Sequence, residues 1–259
     1  MVVGLVAVAH GAPRVSLGAS RWRDERHDNG FFWHADFSLE QEPAALQAVR
    51  DLRAELQREL QLPDLRSDVH LFLFAREKTY EQYLAAYFPR LPRRPAHYVR
   101  ERGPGMILAV RGAQLVTDLR HEVTHALLHD QHQGLPLWLD EGLAEYFERP
   151  AAERRAGNPD FDAARLAASR GRPPRPLDEL EGWSHPGKLN ADDYRLAWSW
   201  VQFLLEGPPA ARIELMRYLQ ACRSIEQPLV SGPLSLARRL RQRWPQLENE
   251  YQRYWQSLS

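Results

Sequence analysis

His121-Glu122-Val123-Thr124-His125, followed after a short break by Leu137-Trp138-Leu139-Asp140-Glu141-Gly142-Leu143-Ala144-Glu145-Tyr146-Phe147, is the part of the chain from which the rest can be read. On a helix, residues four apart share a face, so the His121 and His125 imidazoles can converge on one metal ion. Glu122 points to the side where an activated water would sit and has the chemistry of a general base, as in the H-E-x-x-H pattern. Two histidines leave zinc short of a ligand, because catalytic sites use three protein ligands and keep one position open. Glu141, on a second predicted helix, is the natural third. His129 continues the spacing, but it lies about 12 Å from His121 along the axis at 1.5 Å per residue, so one ion cannot sit among all three. The pair His125 and His129 would put Ala126 where the base belongs, which is binding without chemistry. His129 and His132 are read as closing the helix and entering the turn, where cations suit a helix C-terminus. The competing reading of the motif is a helix whose histidines are solvated or satisfied by hydrogen bonds. The second helix weighs against it, since acids at Glu141 and Glu145 share a stripe beside inward-facing Leu139, Leu143 and Tyr146/Phe147.

Together, H-E-V-T-H-A-L-L and L-P-L-W-L-D-E-G-L-A-E-Y-F-E resemble the gluzincin metallopeptidases, the clan of thermolysin and the aminopeptidase N group. Closest in character are bacterial peptidase-MA-like domains with the same W-L-x-E-G-L-A-E-Y-F phrase. The resemblance covers roughly residues 115–147 and implies a zincin-like core, a zinc ion and hydrolysis of peptide bonds. It implies Glu141, the glutamate directly before glycine, as third ligand. Two departures argue against an amino-terminal exopeptidase. Only 15 residues separate His125 from Glu141, and no glycine-rich exopeptidase motif lies upstream. In aminopeptidase-type members a tyrosine-led helix follows the zinc site, and its hydroxyl donates to the oxyanion of the tetrahedral intermediate. Tyr194-Arg195-Leu196-Ala197-Trp198 is similar to that helix, and the resemblance gives Tyr194 the same role. The other reading of Tyr194 is a residue at a helix start packing on the core. Asp140 and Glu145 are candidate acceptors for the ligand histidines' other N–H groups.

Composition excludes more than it selects. Lys+Arg and Asp+Glu both number 34, so no global field points to nucleic acid or an anionic membrane. Arg90-Leu91-Pro92-Arg93-Arg94-Pro95 is basic but short and without interleaved aromatics, and reads as a solvated loop. The single cysteine, Cys222, rules out an internal disulfide framework and reads as a buried small hydrophobe. Val2 to Ala9 is apolar and ends in Ala-His-Gly-Ala-Pro, like the close of a signal peptide, although no Lys or Arg precedes it. It is read either as the remnant of an export signal, hence a periplasmic or secreted protein, or as a flexible tail of a cytoplasmic one. No stretch is long and apolar enough for a membrane helix.

Four parts are expected: a leader or tail over 1–20, an N-terminal α/β part over 21–111, the zinc-site helices over 112–150, and a mostly helical part over 151–259. The class is α+β. Strands are expected at 31–39, 69–74, 98–102 and 106–110, the last two forming a hairpin through Gly103-Pro104-Gly105. By the zincin resemblance, 106–110 is a candidate substrate edge, and it reads equally as a central strand. Helices are expected from Pro43 to near Pro63 and over 79–88, where Tyr80, Tyr83 and Tyr87 read as core. Further helices are expected at 161–169, 192–205, 209–222, 234–243 and 246–258. His34 and His70 fall in strands and read as core or edge residues. The expected function is zinc-dependent hydrolysis of a peptide or protein substrate by Glu122, Tyr194 and the ligands His121, His125 and Glu141. The alternative is a zinc-stabilised, catalytically weak binding module, which would need no base at position 122.

Overall fold

The computed structural model describes residues 22–64, 68–100, 103–132, 134–155, 158–223 and 235–258; the leader or tail expected over 1–20 lies outside them. The chain is α+β: a five-stranded mixed sheet and, among the described residues, ten α-helices. None of the helices is long and apolar enough to cross a membrane. The chain divides into two compact units, one of residues 22–58 and 63–130, the other of 59–62 and 131–258.

The first unit holds the sheet, ordered β1 (Asp24–Asp28), β2 (Phe31–Ala35), β3 (Val69–Phe74), β5 (Gly105–Val110), β4 (Ala96–Val99). The three central strands run parallel, and the outer strands pair antiparallel to their neighbours. β5 therefore lies inside the sheet, between β3 and β4, and the expectation that 106–110 could be the substrate edge is corrected: the edges are β1 and β4. β4 pairs antiparallel with β5 on the side away from β3, which makes β5 the central strand of the second reading. β1 was not foreseen. Asp24-Glu25-Arg26-His27-Asp28 has no apolar alternation because an exposed edge strand has no face to bury.

Alternation sorts the central strands onto two faces. Phe31, Trp33, Leu71, Leu73, Ile107 and Ala109 are buried on one, the side of the helix α1 (Pro43–Leu60), whose Val49 and Arg53 share a cavity wall with Phe31 and Trp33. On the other face Phe72, Phe74, Leu108 and Val99 pack with Tyr80, Tyr83 and Leu84 of α2 (Glu77–Tyr87). Tyr80 and Tyr83 are core, as expected, whereas Tyr87 is exposed. On the open end of that face His34 bridges Glu25 (2.7 Å) and His70 (3.0 Å).

The second unit is helical among its described residues: α4 (Leu137–Phe147), α5 (Pro159–Ser169), α6 (Leu177–Glu181), α7 (Ala191–Glu206), α8 (Pro209–Arg223), α9 (Leu236–Arg243) and α10 (Leu247–Ser257). Its centre is α7, which is buried from Ala197 to Leu205 and packs on α4, α5, α8 and α10. Tyr251 and Trp255 of α10 close over Trp198, Trp200 and Phe203. Cys222 is buried as expected, and burial pushes its thiol pKa up.

Candidate metal centre

α3 (Leu115–Gln131) carries the histidine pair. The stripe Leu115, Leu119, Val123, Ala126 and Leu127 is buried, which fixes the rotation of the helix. Arg120, next to His121 and only 2% exposed, adds a polar anchor. Its guanidinium donates to the Glu55 carboxylate at 2.8 Å and to the Ala48 carbonyl at 3.4 Å, both on α1. The Thr124 hydroxyl donates back to the Arg120 carbonyl at 2.8 Å and so stays off the metal face.

That rotation brings the two imidazoles together, Nε2 to Nε2 at 3.3 Å, with rings 72° apart. Two nitrogens each about 2.0–2.1 Å from one tetrahedral zinc-sized ion stand about 3.3 Å apart. The pair therefore has the separation a shared ion requires, and the donors fit the group. His121 and Glu122 are half-buried and His125 is buried, so the face narrows inward from an accessible end.

Glu122 has two unforeseen neighbours in the electrostatic sense. Burial pushes the Tyr80 phenol pKa up, and the Glu122 charge adds to that rise. Burial pushes His97 of β4 down, with Glu122 acting in the opposite direction. Both side chains hold the basic loop before β4: the His97 Nε2 donates to the Pro92 carbonyl at 2.9 Å, and the Tyr80 hydroxyl donates to the Arg94 carbonyl at 3.0 Å. The Arg100 guanidinium, just beyond β4, donates to the His129 carbonyl at 2.8 Å. Tyr98 sets its ring edge-on to His129 and covers Gly105, where a Cβ would stand 2.9 Å from the tyrosine ring. His129 is thus engaged by β4 and its flank.

In the other unit, α4 carries Glu141. This helix is not the amphipathic one expected. Asp140 (1% exposed) and Glu141 (3%) are as buried as Leu139 and Leu143, and Glu145 is half-buried. Buried carboxylates are costly unless charge or hydrogen bonding compensates them, so this placement marks a built polar site. Gly142 explains how α4 is seated. A Cβ there would stand 2.7 Å from the Ala197 carbonyl oxygen and 2.9 Å from Val201, so α7 lies backbone-close at the position after Glu141. At the far end the buried Arg154 donates to the Tyr146 and Arg149 carbonyls and lies over the Tyr146 ring at 4.2 Å.

Tyr194 stands one turn before Ala197 on α7 and is half-buried. Its helix start is fixed by a capping box: Asn190 accepts from the Asp192 and Asp193 amides, and Asp193 accepts from the Asn190 amide. Arg175 pairs with Asp193 beside it. Of the site residues read from the sequence, His121, Glu122 and His125 thus share one helix of the first unit. Glu141 and Tyr194 sit on the packed pair α4 and α7 of the second. His132, read as entering a turn, is instead buried, with the Arg223 guanidinium donating toward its ring at 3.3 Å.

Sequence reasoning missed Arg120, His97 and the role of Gly142. An arginine three residues before Val123 and seven before Leu127, on their helical stripe, was a usable signal for a buried pair. His97 had none, because a histidine in a four-residue strand looks like any other. No model of a known protein family matches the chain, and no curated protein matches it.

Proposed function

We propose that the protein is a zinc-dependent peptidase of the gluzincin kind with a zincin-like core. His121, His125 and Glu141 hold the ion and Glu122 is the general base. The single observation that carries this is the His121–His125 nitrogen separation of 3.3 Å on a helix with a glutamate at the adjoining position. It is supported by the donor chemistry, since two imidazoles and one carboxylate are a ligand set that zinc takes in catalytic sites. Bound there, zinc would supply Lewis acidity, polarising a carbonyl and lowering the pKa of a water toward about 7. Glu122 takes the proton from the attacking water, holds it on its carboxylate, and passes it to the leaving amine nitrogen as the C–N bond breaks. Tyr194 donates a hydrogen bond to the former carbonyl oxygen as that atom gains negative charge. With the ion bound, Asp140 and Glu145 are the carboxylates that would accept the ligand imidazoles' outer N–H groups and so set their tautomer. A pure binding module would have no use for Glu122.

The test is a broad peptide library offered to zinc-loaded wild type, metal-stripped protein and Glu122→Gln, with products read by mass spectrometry. Cleavage by zinc-loaded wild type alone is expected. No cleavage by any form, or equal cleavage by wild type and Glu122→Gln, contradicts the reading.

A further inference from the structure

We propose that the arginines of the loop before β4 select acidic peptides at the Glu122 side of the site. The inference rests on the peptidase reading above and names the substrate class of that same site. Arg90, Arg93 and Arg94 are all exposed, and the Arg93 side chain is 92% accessible. In an unanchored loop such a run would mean only solubility. Here the loop is pinned from beneath at two backbone positions, Pro92 by His97 and Arg94 by Tyr80.

Tyr98 and Arg100, at the far end of β4, reach His129 of α3, so the loop at the near end of this four-residue strand comes along the same helix toward Glu122, whose charge also bears on both pinning side chains. The loop leads directly into β4, a sheet edge. Within this unit Glu81 is the acid facing Arg93, across 3.9 Å between exposed groups, a weak pairing in water. The result is a basic rim on an anchored loop, in the same unit as the half-buried Glu122 carboxylate. An extended peptide beside β4 with a carboxylate near its scissile bond would meet guanidinium forks suited to carboxylates. A basic peptide would meet like charge, so the rim both attracts and excludes.

The experiment compares wild type with Arg93→Gln and with the triple variant Arg90→Gln/Arg93→Gln/Arg94→Gln, each zinc-loaded. Retained fold is confirmed by circular dichroism, and glutamine leaves the pinned backbone carbonyls in place. Cleavage sites are mapped in a library and scored as the ratio of kcat/KM for matched peptides carrying Glu or Gln near the cut. Wild type is expected to favour Glu. Each arginine removed should lower that ratio about 2–5-fold, and all three about 10–100-fold. Raising ionic strength from about 0.1 M to 1 M, which shortens the Debye length from about 10 Å to about 3 Å, should shrink the preference in wild type.

Matched peptides are also titrated onto the Glu122→Gln variant by fluorescence anisotropy, with and without the three glutamines. If no peptide is cleaved, the peptidase reading fails, and this titration decides the inference by itself. Tighter binding of Glu peptides that the triple variant loses supports it. Equal binding of Glu and Gln peptides overturns it, as does a preference that survives the triple substitution. Loop-dependent binding of single-stranded nucleic acid without any acidic-peptide preference overturns it as well.

Discussion

Replacing Gly142 with alanine tests how α4 is seated. The new Cβ would lie 2.7 Å from the Ala197 carbonyl oxygen, 2.9 Å from its carbon and 2.9 Å from a Val201 methyl. The valine can turn away, but the backbone of α7 cannot. Reaching an ordinary contact of 3.4 Å requires the two helices to part locally by about 0.7 Å. Overpacking of this kind costs about 1–3 kcal/mol, and the rigid obstacle places it in the upper half of that range. Alanine recovers about 1 kcal/mol of helix preference over glycine. The net loss is about 1–2 kcal/mol, or a Tm lower by about 2–8 °C at this chain length. Thermal melts of metal-stripped protein measure it, with Gly112→Ala, whose Cβ would meet nothing within 4 Å, as the neutral comparison. If Gly142→Ala melts at or above the wild-type temperature, the backbone-close crossing of α4 and α7 is wrong. The same displacement moves Glu141, so zinc affinity should also fall, which equilibrium dialysis reads independently of stability.

Among ligand variants, His121→Ala, His125→Ala and Glu141→Ala should each lose most bound zinc, whereas Glu145→Ala should weaken it only about 10–100-fold. The reverse order for the two glutamates in a metal titration would shift the ligand set by one turn of α4. Glu122→Gln should keep zinc and lose turnover by about 10²–10⁴-fold on any peptide the wild type cleaves, read from steady-state rates. Burial holds His97 and His70 below their ordinary value of 6.5, so both stay neutral in the fold and take up protons more readily when unfolded. Stability is then full above about pH 6.5, falls as the pH drops below it, and levels off beneath the folded pKa values. Denaturant titrations from pH 7.5 to 5 should show this fall, and His70→Gln/His97→Gln should show less of it; identical profiles refute the assignment. Arg120→Met strips the guanidinium from buried Glu55 and should cost about 3–5 kcal/mol, with Glu55→Leu restoring much of it.

The elements that could be read from the sequence are those whose pattern is set by burial on one or two faces. Val69–Phe74 and Leu137–Phe147 were expected with the bounds they have, the first because a short, nearly continuous apolar run leaves little choice, the second because apolar residues recur at helical spacing directly after Pro136. β1 was invisible, since an edge strand of five charged or polar residues is held by backbone pairing and by contacts such as that of Asp24 with the Leu39 amide. The position of β5 inside the sheet depends on where β4 folds back, a tertiary fact that no local pattern encodes. At the site, the four-residue spacing was enough to pair His121 with His125. The burial of Asp140 and Glu141 was not legible, because acids on a short helix look like its solvated side until the partner helix is known. The basic loop looked inert for a similar reason: its anchoring by Tyr80 and His97 comes from two separate elements.

The claim on which everything else depends is that α3 presents two imidazole nitrogens to one zinc ion shared with a glutamate. X-ray absorption at the zinc edge of the loaded wild-type protein, with zinc per chain measured on the same sample, tests it directly. One zinc per chain is expected, with two nitrogen and two oxygen neighbours at about 2.0–2.2 Å and imidazole scattering beyond, and most of that zinc lost in His125→Ala. No stoichiometric zinc, or a wild-type shell that His125→Ala leaves unchanged, would contradict it.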